Sequence, residues 1–249
     1  MEIRGFIENS LLEWEGRLSC VVFVPGCNLR CRFCHAGHLL GPTCLEAIAE
    51  EQILRYIQRQ AGWLDGAVIT GGEPTLHEED LIDFTARVHD AGLEVMIETN
   101  GTRPLWVRRL ITGSHAEALA MDVKAPLAPD YYARVADAEV DIEAIRTSIH
   151  TIIESGIPHE FRITVVPGLI GREEVRLIAP SLQGAEKIAI QNFQPEHTLD
   201  KSLASTLPYR PEQMDEIAEE LADTGARVTI RGRDRGLIAR SDREAVYPE

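Results

Sequence analysis

The chain has 249 residues, 44% of them hydrophobic, 26% charged and 6% aromatic, which excludes a disordered or low-complexity chain and leaves material for a sizeable core. The formal net charge is −15, from 25 Lys and Arg against 40 Asp and Glu, and this balance would repel a phosphate backbone, so nucleic acid is not an expected partner. No basic segment followed by a continuous apolar stretch is present, so neither a signal peptide nor a membrane span is expected, and the predicted location is cytoplasmic.

Strand-like and helix-like patterns alternate along the chain. Residues 18–24 are apolar and β-branched and stop at Pro25-Gly26; residues 45–60 then place Leu45, Ile48, Ala49, Ile53, Tyr56 and Ile57 on one helical face. The same rhythm predicts strands at 67–70, 93–99, 118–123, 160–166 and 187–191, with helices at 78–91, 105–112, 142–155 and 172–181. A last helix over 211–223 has Pro211 in its first turn and Gly225 past its end. No Pro-rich or Gly-Ser linker separates these units, so the expectation is one α/β domain over 1–249 with parallel strands. Residues 1–17 read as an N-terminal extension and 226–249 as a C-terminal strand and tail. In that tail Arg231, Arg233, Arg235, Arg240 and Arg243 alternate with Asp234, Asp242 and Glu244, the pattern of a solvated segment with local ion pairs.

In parallel barrels the chemistry gathers where strands end, and those ends are polar here. Successive strands run into Cys27, Cys31 and Cys34, then Gly71-Gly72-Glu73-Pro74, Glu98-Thr99-Asn100-Gly101, Asp122 and Lys124, Thr164 before Pro167-Gly168, and Gln191-Asn192. Any one of these residues taken alone is also an ordinary turn former or cap. Of the five cysteines, Cys20 and Cys44 stand apart and read as packing residues, while Cys27, Cys31 and Cys34 share one loop. Three thiolates are one short of a closed four-cysteine site. They fit a cubane cluster with one iron left open, or a zinc site completed by His35 or His38.

The run Cys27-Asn-Leu-Arg-Cys31-Arg-Phe-Cys34-His35, followed after the next strand by Gly71-Gly72-Glu73-Pro74, resembles the radical S-adenosylmethionine enzymes over about residues 21–194. The resemblance implies a partial (β/α)6 barrel and a 4Fe-4S cluster held by Cys27, Cys31 and Cys34. The open iron would chelate S-adenosylmethionine, whose reductive cleavage releases a 5′-deoxyadenosyl radical. It also implies that backbone near Phe33 faces the adenine and that Gly71, Gly72, Glu73 and Pro74 form the site of the methionyl amino group. The two glycines are expected there because backbone without Cβ can approach a ligand closely.

Finer motifs, Cys34-His35, Glu98-Thr99-Asn100-Gly101, Asp122-Val123-Lys124 and Val165-Val166-Pro167-Gly168, resemble the glycyl-radical-enzyme activases, above all those of anaerobic ribonucleoside-triphosphate reductase. Asp122 and Lys124 would then contact the cofactor, and Glu98, before Thr99 and Asn100, would help hold a monovalent cation. His197 would correspond to a late cofactor-contacting histidine, and Arg162 would either reach the site or pair with a neighbouring carboxylate. The implied partners are a glycyl radical enzyme as protein substrate and flavodoxin or ferredoxin as electron donor. Ala36 departs from the Cys-His-Asn common in activases, and five cysteines are too few for additional ferredoxin-like clusters. Past the fifth predicted strand only Gln191, Asn192 and His197 stand out as polar, which favours a macromolecular substrate. The alternatives are an enzyme acting on a small molecule, 7-carboxy-7-deazaguanine synthase-like or another in cofactor biosynthesis, and a non-catalytic zinc- or cluster-binding module.

Overall fold

The computed structural model describes residues 1–41, 45–60 and 62–232. Cys44 and the tail arginines Arg233, Arg235, Arg240 and Arg243 lie outside the described residues. The chain begins with β1 (Gly5–Ser10) and β2 (Ser19–Val24), continues through α1 (Glu50–Arg59), β3 (Gly66–Gly71), α2 (Glu78–Asp90) and β4 (Glu94–Thr99), then α3 (Pro104–Thr112) and β5 (Ala118–Asp122). It ends with α4 (Pro129–Ala136), α5 (Ile142–Ser155), β6 (His159–Val165), α6 (Arg172–Ile178), β7 (Lys187–Asn192), α7 (Pro211–Glu219) and β8 (Arg227–Arg231). All eight strands form one sheet in sequence order; β1 is antiparallel to β2, and β2 to β8 are parallel. Among the described residues no pairing joins β1 to β8, so the sheet is open.

The six predicted strands are β2 to β7. Local chemistry accounts for the element bounds that were legible: α5 starts where the Asp141 carboxylate accepts the Glu143 and Ala144 N–H groups, and stops at Gly156, whose φ of 70° few other residues adopt. The helix predicted from 45 starts instead at Glu50, because Ala49 is extended and Ile48 N–H donates to the Ile3 carbonyl at 2.9 Å. Segment 45–49 is thus tied to the residues that precede β1 despite its apolar periodicity. Helix α4 was not anticipated; it is only eight residues long, with Pro129 in its first turn.

Alternation along the strands gives the sheet two faces. The outer one, with Val22, Ile69, Ile97, Leu119, Phe161 and Ile188, packs on the helices in the main core. The inner one begins with a small apolar layer of Val21, Val68, Met96, Ala118 and Ala120, against which Ile7, Trp14 and Phe23 pack. Trp14 comes from the loop between β1 and β2, which therefore enters the sheet's concave side. Its ring is so close to β3 that a Cβ on Gly66 would lie 2.6 Å from Trp14 Cζ3. Beyond this layer the inner face turns charged, with Glu98 on β4, Glu160 and Arg162 on β6, Lys187 on β7 and Arg231 on β8.

Trp14 floors the interior without being fully enclosed, so Trp14→Ala should cost roughly 2 to 3 kcal/mol, somewhat below the range for a wholly buried ring. The check is the denaturant midpoint of the variant against the parent protein; an unchanged midpoint would mean that the loop does not support the sheet.

Candidate active site

The cysteine loop follows β2 and is tied down by backbone on three sides. Within the loop Gly26 N–H donates to the Leu39 carbonyl at 2.7 Å and Cys34 N–H to the Cys31 carbonyl at 2.9 Å. The C-terminal turn of α4 accepts from Arg30 N–H (Ala136 carbonyl, 2.8 Å) and Arg32 N–H (Val135 carbonyl, 3.0 Å). The segment after β7 donates from Leu199 N–H to the Cys34 carbonyl at 3.1 Å and from Asp200 N–H to the Arg32 carbonyl at 2.8 Å. Arg32 and Asp200 also form an ion pair at 2.7 Å. Hydrogen bonds from Ser202, with a smaller contribution from Arg32, hold the Asp200 carboxyl down at about 2, so this clasp stays charged far into the acid range.

The three cysteines face a cavity of about 270 Å³, which is also lined by Phe33, His35, Gly71, Gly72 and Glu73, and by Glu98, Thr99, Asn100, Asp122, Lys124 and Arg162. Burial pushes the Cys31 thiol up to about 12 and raises Cys27 and Cys34 as well, while Lys124 acts against that rise. Thiolates are therefore costly here unless a bound metal supplies the compensating charge. Leu29 N–H donates to Cys27 Sγ at 3.4 Å and Asn100 Nδ2 at 3.7 Å, an environment suited to a sulfur carrying negative charge. Among the described residues no three His, Cys, Asp or Glu side chains gather at the spacing of a single ion. Three thiols spread over one wall suit a cluster in which each binds its own iron. Cys20 is fully buried in the core, and burial raises its thiol to about 12, as for an inert packing residue.

The Gly71 to Pro74 segment extends the β2–β3 pairing. Gly72 N–H donates to the Val24 carbonyl at 2.8 Å and Glu73 N–H to the Gly26 carbonyl at 2.7 Å. A Cβ on Gly72 would lie 1.8 Å from the Gly26 oxygen, and one on Gly71, at a φ of 111°, 2.6 Å from the Val24 oxygen. These glycines are thus demanded by the backbone leading into the cysteine loop, a different close approach from the ligand contact expected. Glu73 turns its carboxylate inward. Oε1 accepts from Thr75 N–H at 3.2 Å, Thr75 Oγ1 at 2.6 Å and Thr99 Oγ1 at 2.7 Å, and Oε2 from Asn100 N–H at 2.7 Å. Burial raises its pKa, with these hydrogen bonds opposing the rise. The buried carboxylate locks the end of β3 to the end of β4, and Glu73 lines the cavity.

Opposite stand the charged side chains. Lys124 Nζ lies 3.0 Å from Asp122 Oδ2 and 6.0 Å from the centre of the Phe33 ring. Burial opposes its charge, but Asp122 more than compensates and holds the ammonium above the usual lysine range. Glu98 accepts from Thr70 Oγ1 at 2.6 Å and from Arg162 Nη1, so Arg162 both reaches the cavity and pairs with a carboxylate. His197 and Pro74 do not line the cavity; His197 lies in the segment after β7, where its field reaches His38.

No local signal points to Glu13, which comes from the β1–β2 loop, or to how polar the far side is. A second cavity of about 640 Å³ shares Glu13, His35, Thr164 and Gln191 with the first. Lys187, Asn192, Gln194, Thr229 and Arg231 also line it. The expected scarcity of polar groups past the fifth predicted strand is therefore corrected; period-2 alternation on β6 to β8 brings them together, and a linear reading overlooked it.

Two outcomes test the site. Cys31→Ala should lose the iron, the sulfide and the brown colour of anaerobically prepared protein, whereas Cys20→Ala should keep them. Glu73→Gln should retain part of the loop geometry, while Glu73→Ala, which orphans Thr99 Oγ1 and Asn100 N–H, should cost about 2 kcal/mol or more in stability; equal melting of parent and Ala variant would overturn that role.

Comparison with known proteins accords with this geometry. The family described as Radical SAM superfamily matches residues 21–179. A protein of Methanocaldococcus jannaschii, assigned by name to the glycyl-radical enzyme activating enzymes, is 29% identical over 243 residues, covering 92% of this chain and 97% of its own. The pyruvate formate-lyase-activating enzyme of Clostridium pasteurianum is 24% identical over 72% of this chain and 75% of its own. The 7-carboxy-7-deazaguanine synthase of Bacteroides thetaiotaomicron is 42% identical, but over only 32% of this chain and 40% of its own. Among solved structures, TYW1 with a lysine-pyruvate adduct bound superposes with a TM-score of 0.60 at 16% identity, over 82% of this chain and 73% of that one. Streptococcus suis SuiB bound to S-adenosylmethionine gives 0.61 at 16% identity, over 85% and 52%. The match across most of the sheet, joined to three cysteines on one cavity wall, leads to one conclusion: the chain belongs to the radical SAM superfamily, and its cofactors are a 4Fe-4S cluster and S-adenosylmethionine.

Proposed function

We propose that this radical SAM enzyme is an activase that takes a hydrogen atom from a glycine of a partner glycyl radical enzyme. The observation that carries the reading is the end-to-end similarity to the Methanocaldococcus jannaschii protein, 92% of this chain against 97% of the other. The matches to 7-carboxy-7-deazaguanine synthase, by contrast, are local. When bound, the cluster and S-adenosylmethionine supply a carbon-centred radical able to abstract hydrogen. The chain holds and screens that chemistry. Cys27, Cys31 and Cys34 carry the cluster; Phe33, Asp122 and Lys124 orient the cofactor; backbone at Gly71 to Glu73 and at Thr99-Asn100 walls the cavity. Flavodoxin or ferredoxin is the electron donor in this reading, and the reaction is cytoplasmic; among the described residues no helix is long and apolar enough to cross a membrane.

One observation favours a second reading. The cavity of about 640 Å³ beside the cofactor site offers enough polar groups to grip a small molecule. The two readings separate by electron paramagnetic resonance: reduced enzyme with S-adenosylmethionine should raise a glycyl-radical doublet on a co-encoded partner. Cofactor cleavage without that doublet, against every glycyl radical protein of the organism, would transfer the assignment to a small-molecule substrate.

Asp122→Asn and Lys124→Met should still fold and load the cluster, but bind S-adenosylmethionine at least tenfold more weakly, a loss of about 1.4 kcal/mol. Calorimetry with the loaded protein checks this, and unchanged affinity in both variants would leave the pair a structural ion pair only.

A further inference from the structure

Glu98 stands at the end of β4 and Asp122 at the end of β5, both on the wall of the cofactor cavity. Two carboxylates there, close to where a cofactor bearing its own carboxylate must sit, call for positive charge. A free monovalent cation would answer that need by taking oxygen ligands from them. The donor set does not fit such an ion. Both Glu98 oxygens are engaged, one by Thr70 Oγ1 at 2.6 Å and the other by Arg162 Nη1. Asp122 is engaged by Lys124 at 3.0 Å. Glu73 is consumed by Thr75, Thr99 and Asn100.

Arg162 is the group that stands in the way. It sits on β6 directly across from Asp122, its register partner on β5. Its side chain is only 5% exposed. Nε donates to Glu160 Oε1 at 2.7 Å and Nη2 to the Glu13 carbonyl at 2.9 Å, so the guanidinium is held from behind while Nη1 faces Glu98. The Glu13 carboxylate is 3.9 Å away. A cation entering at Glu98 would have to displace this arm and leave a buried charge short of a partner. A guanidinium is also permanently charged and fork-shaped, so it bridges several acceptors as a small ion would, without exchanging with solvent.

We infer that Arg162 is a positioning residue that supplies, as a cation fixed in the chain, the positive charge between Glu98 and Asp122, so that S-adenosylmethionine binds without a free monovalent cation. The inference rests on the superfamily's cofactor and not on the activase reading, so either can fail alone.

The experiment is calorimetric titration of S-adenosylmethionine into anaerobic, cluster-loaded protein in potassium, sodium or choline chloride at equal ionic strength. The dissociation constant should agree within threefold among the three salts; tighter binding by more than threefold in potassium or sodium than in choline overturns the inference. Arg162→Gln frees Glu98, and should bind at least tenfold more weakly in choline than in potassium, whereas Arg162→Lys should restore indifference to the salt. A residue that only stabilised the fold would not move this salt response. Arg162→Gln binding equally in all three salts overturns the inference, and if that variant fails to fold or load its cluster, the salt series on the parent protein decides alone.

Discussion

A charge buried inside a sheet must be answered inside the sheet, and the Arg162 guanidinium makes that demand on most of this interior. Burial by itself would disfavour its charge, yet Glu98 and Glu160 hold it above the ordinary arginine range. Glu160 is in turn bound by Lys187 at 2.6 Å and Arg231 at 2.7 Å, and Arg162, together with these two cations, keeps its carboxyl below the usual range despite burial. Lys187 and Arg227 continue to Glu15 of the β1–β2 loop. One chain of opposite charges therefore runs from β4 through β6 to β8 and back to the loop at the other edge. An open sheet has no hydrogen-bonded closure between its edges; this network joins them through the interior instead. Glu13 is the exception. Burial and the neighbouring Glu98 raise its pKa, because the cations nearby are already committed to other carboxylates.

The charged layer has an apolar floor, and its order along the strands explains where the chemistry lies. Val21, Val68, Met96 and Ala118, with Trp14 over them, close the interior below. Glu98 lies two residues beyond Met96 on β4 and Asp122 four beyond Ala118 on β5; with Arg162 and Lys124 they open onto the cysteine loop. A radical enzyme needs a site that is polar where the cofactor is held and protected where the reactive atom waits. Layering along β-strands of period 2 provides both from one set of strands.

The cysteine loop is positioned by elements remote from it in sequence. Its carbonyls and N–H groups are taken up by the end of α4, about a hundred residues later, and by the segment after β7 that carries Asp200. Gly71, Gly72 and Glu73 hold it from the β3 side through contacts too close for any side chain at Gly72. The loop that carries the cluster ligands is thus fixed by backbone pairing on several sides, which suits a centre whose redox properties depend on a constant environment.

Much of this was legible from residues alone, because the relevant signals are local. Apolar β-branched runs, several ended by Gly or Pro, marked β2 to β7, and the helical pattern over 142–155 matched α5, which the Asp141 carboxylate starts and the left-handed Gly156 stops. The cysteine spacing and the Gly-Gly-Glu-Pro motif identified the superfamily because ligand geometry restricts sequence tightly over short stretches. What only the tertiary structure decided depends on contacts between distant residues. Segment 45–49 has helical periodicity but is drawn into backbone pairing with the N-terminus. Glu13 and Trp14 enter the interior only because a hairpin loop folds inward, which no residue type announces. The sequence names Glu98 as a carboxylate of the site, but that it meets Arg162 depends on β6 lying two strands away and turning Arg162 to the same face. Composition and spacing name the groups in a site; strand order and register decide which charges face one another.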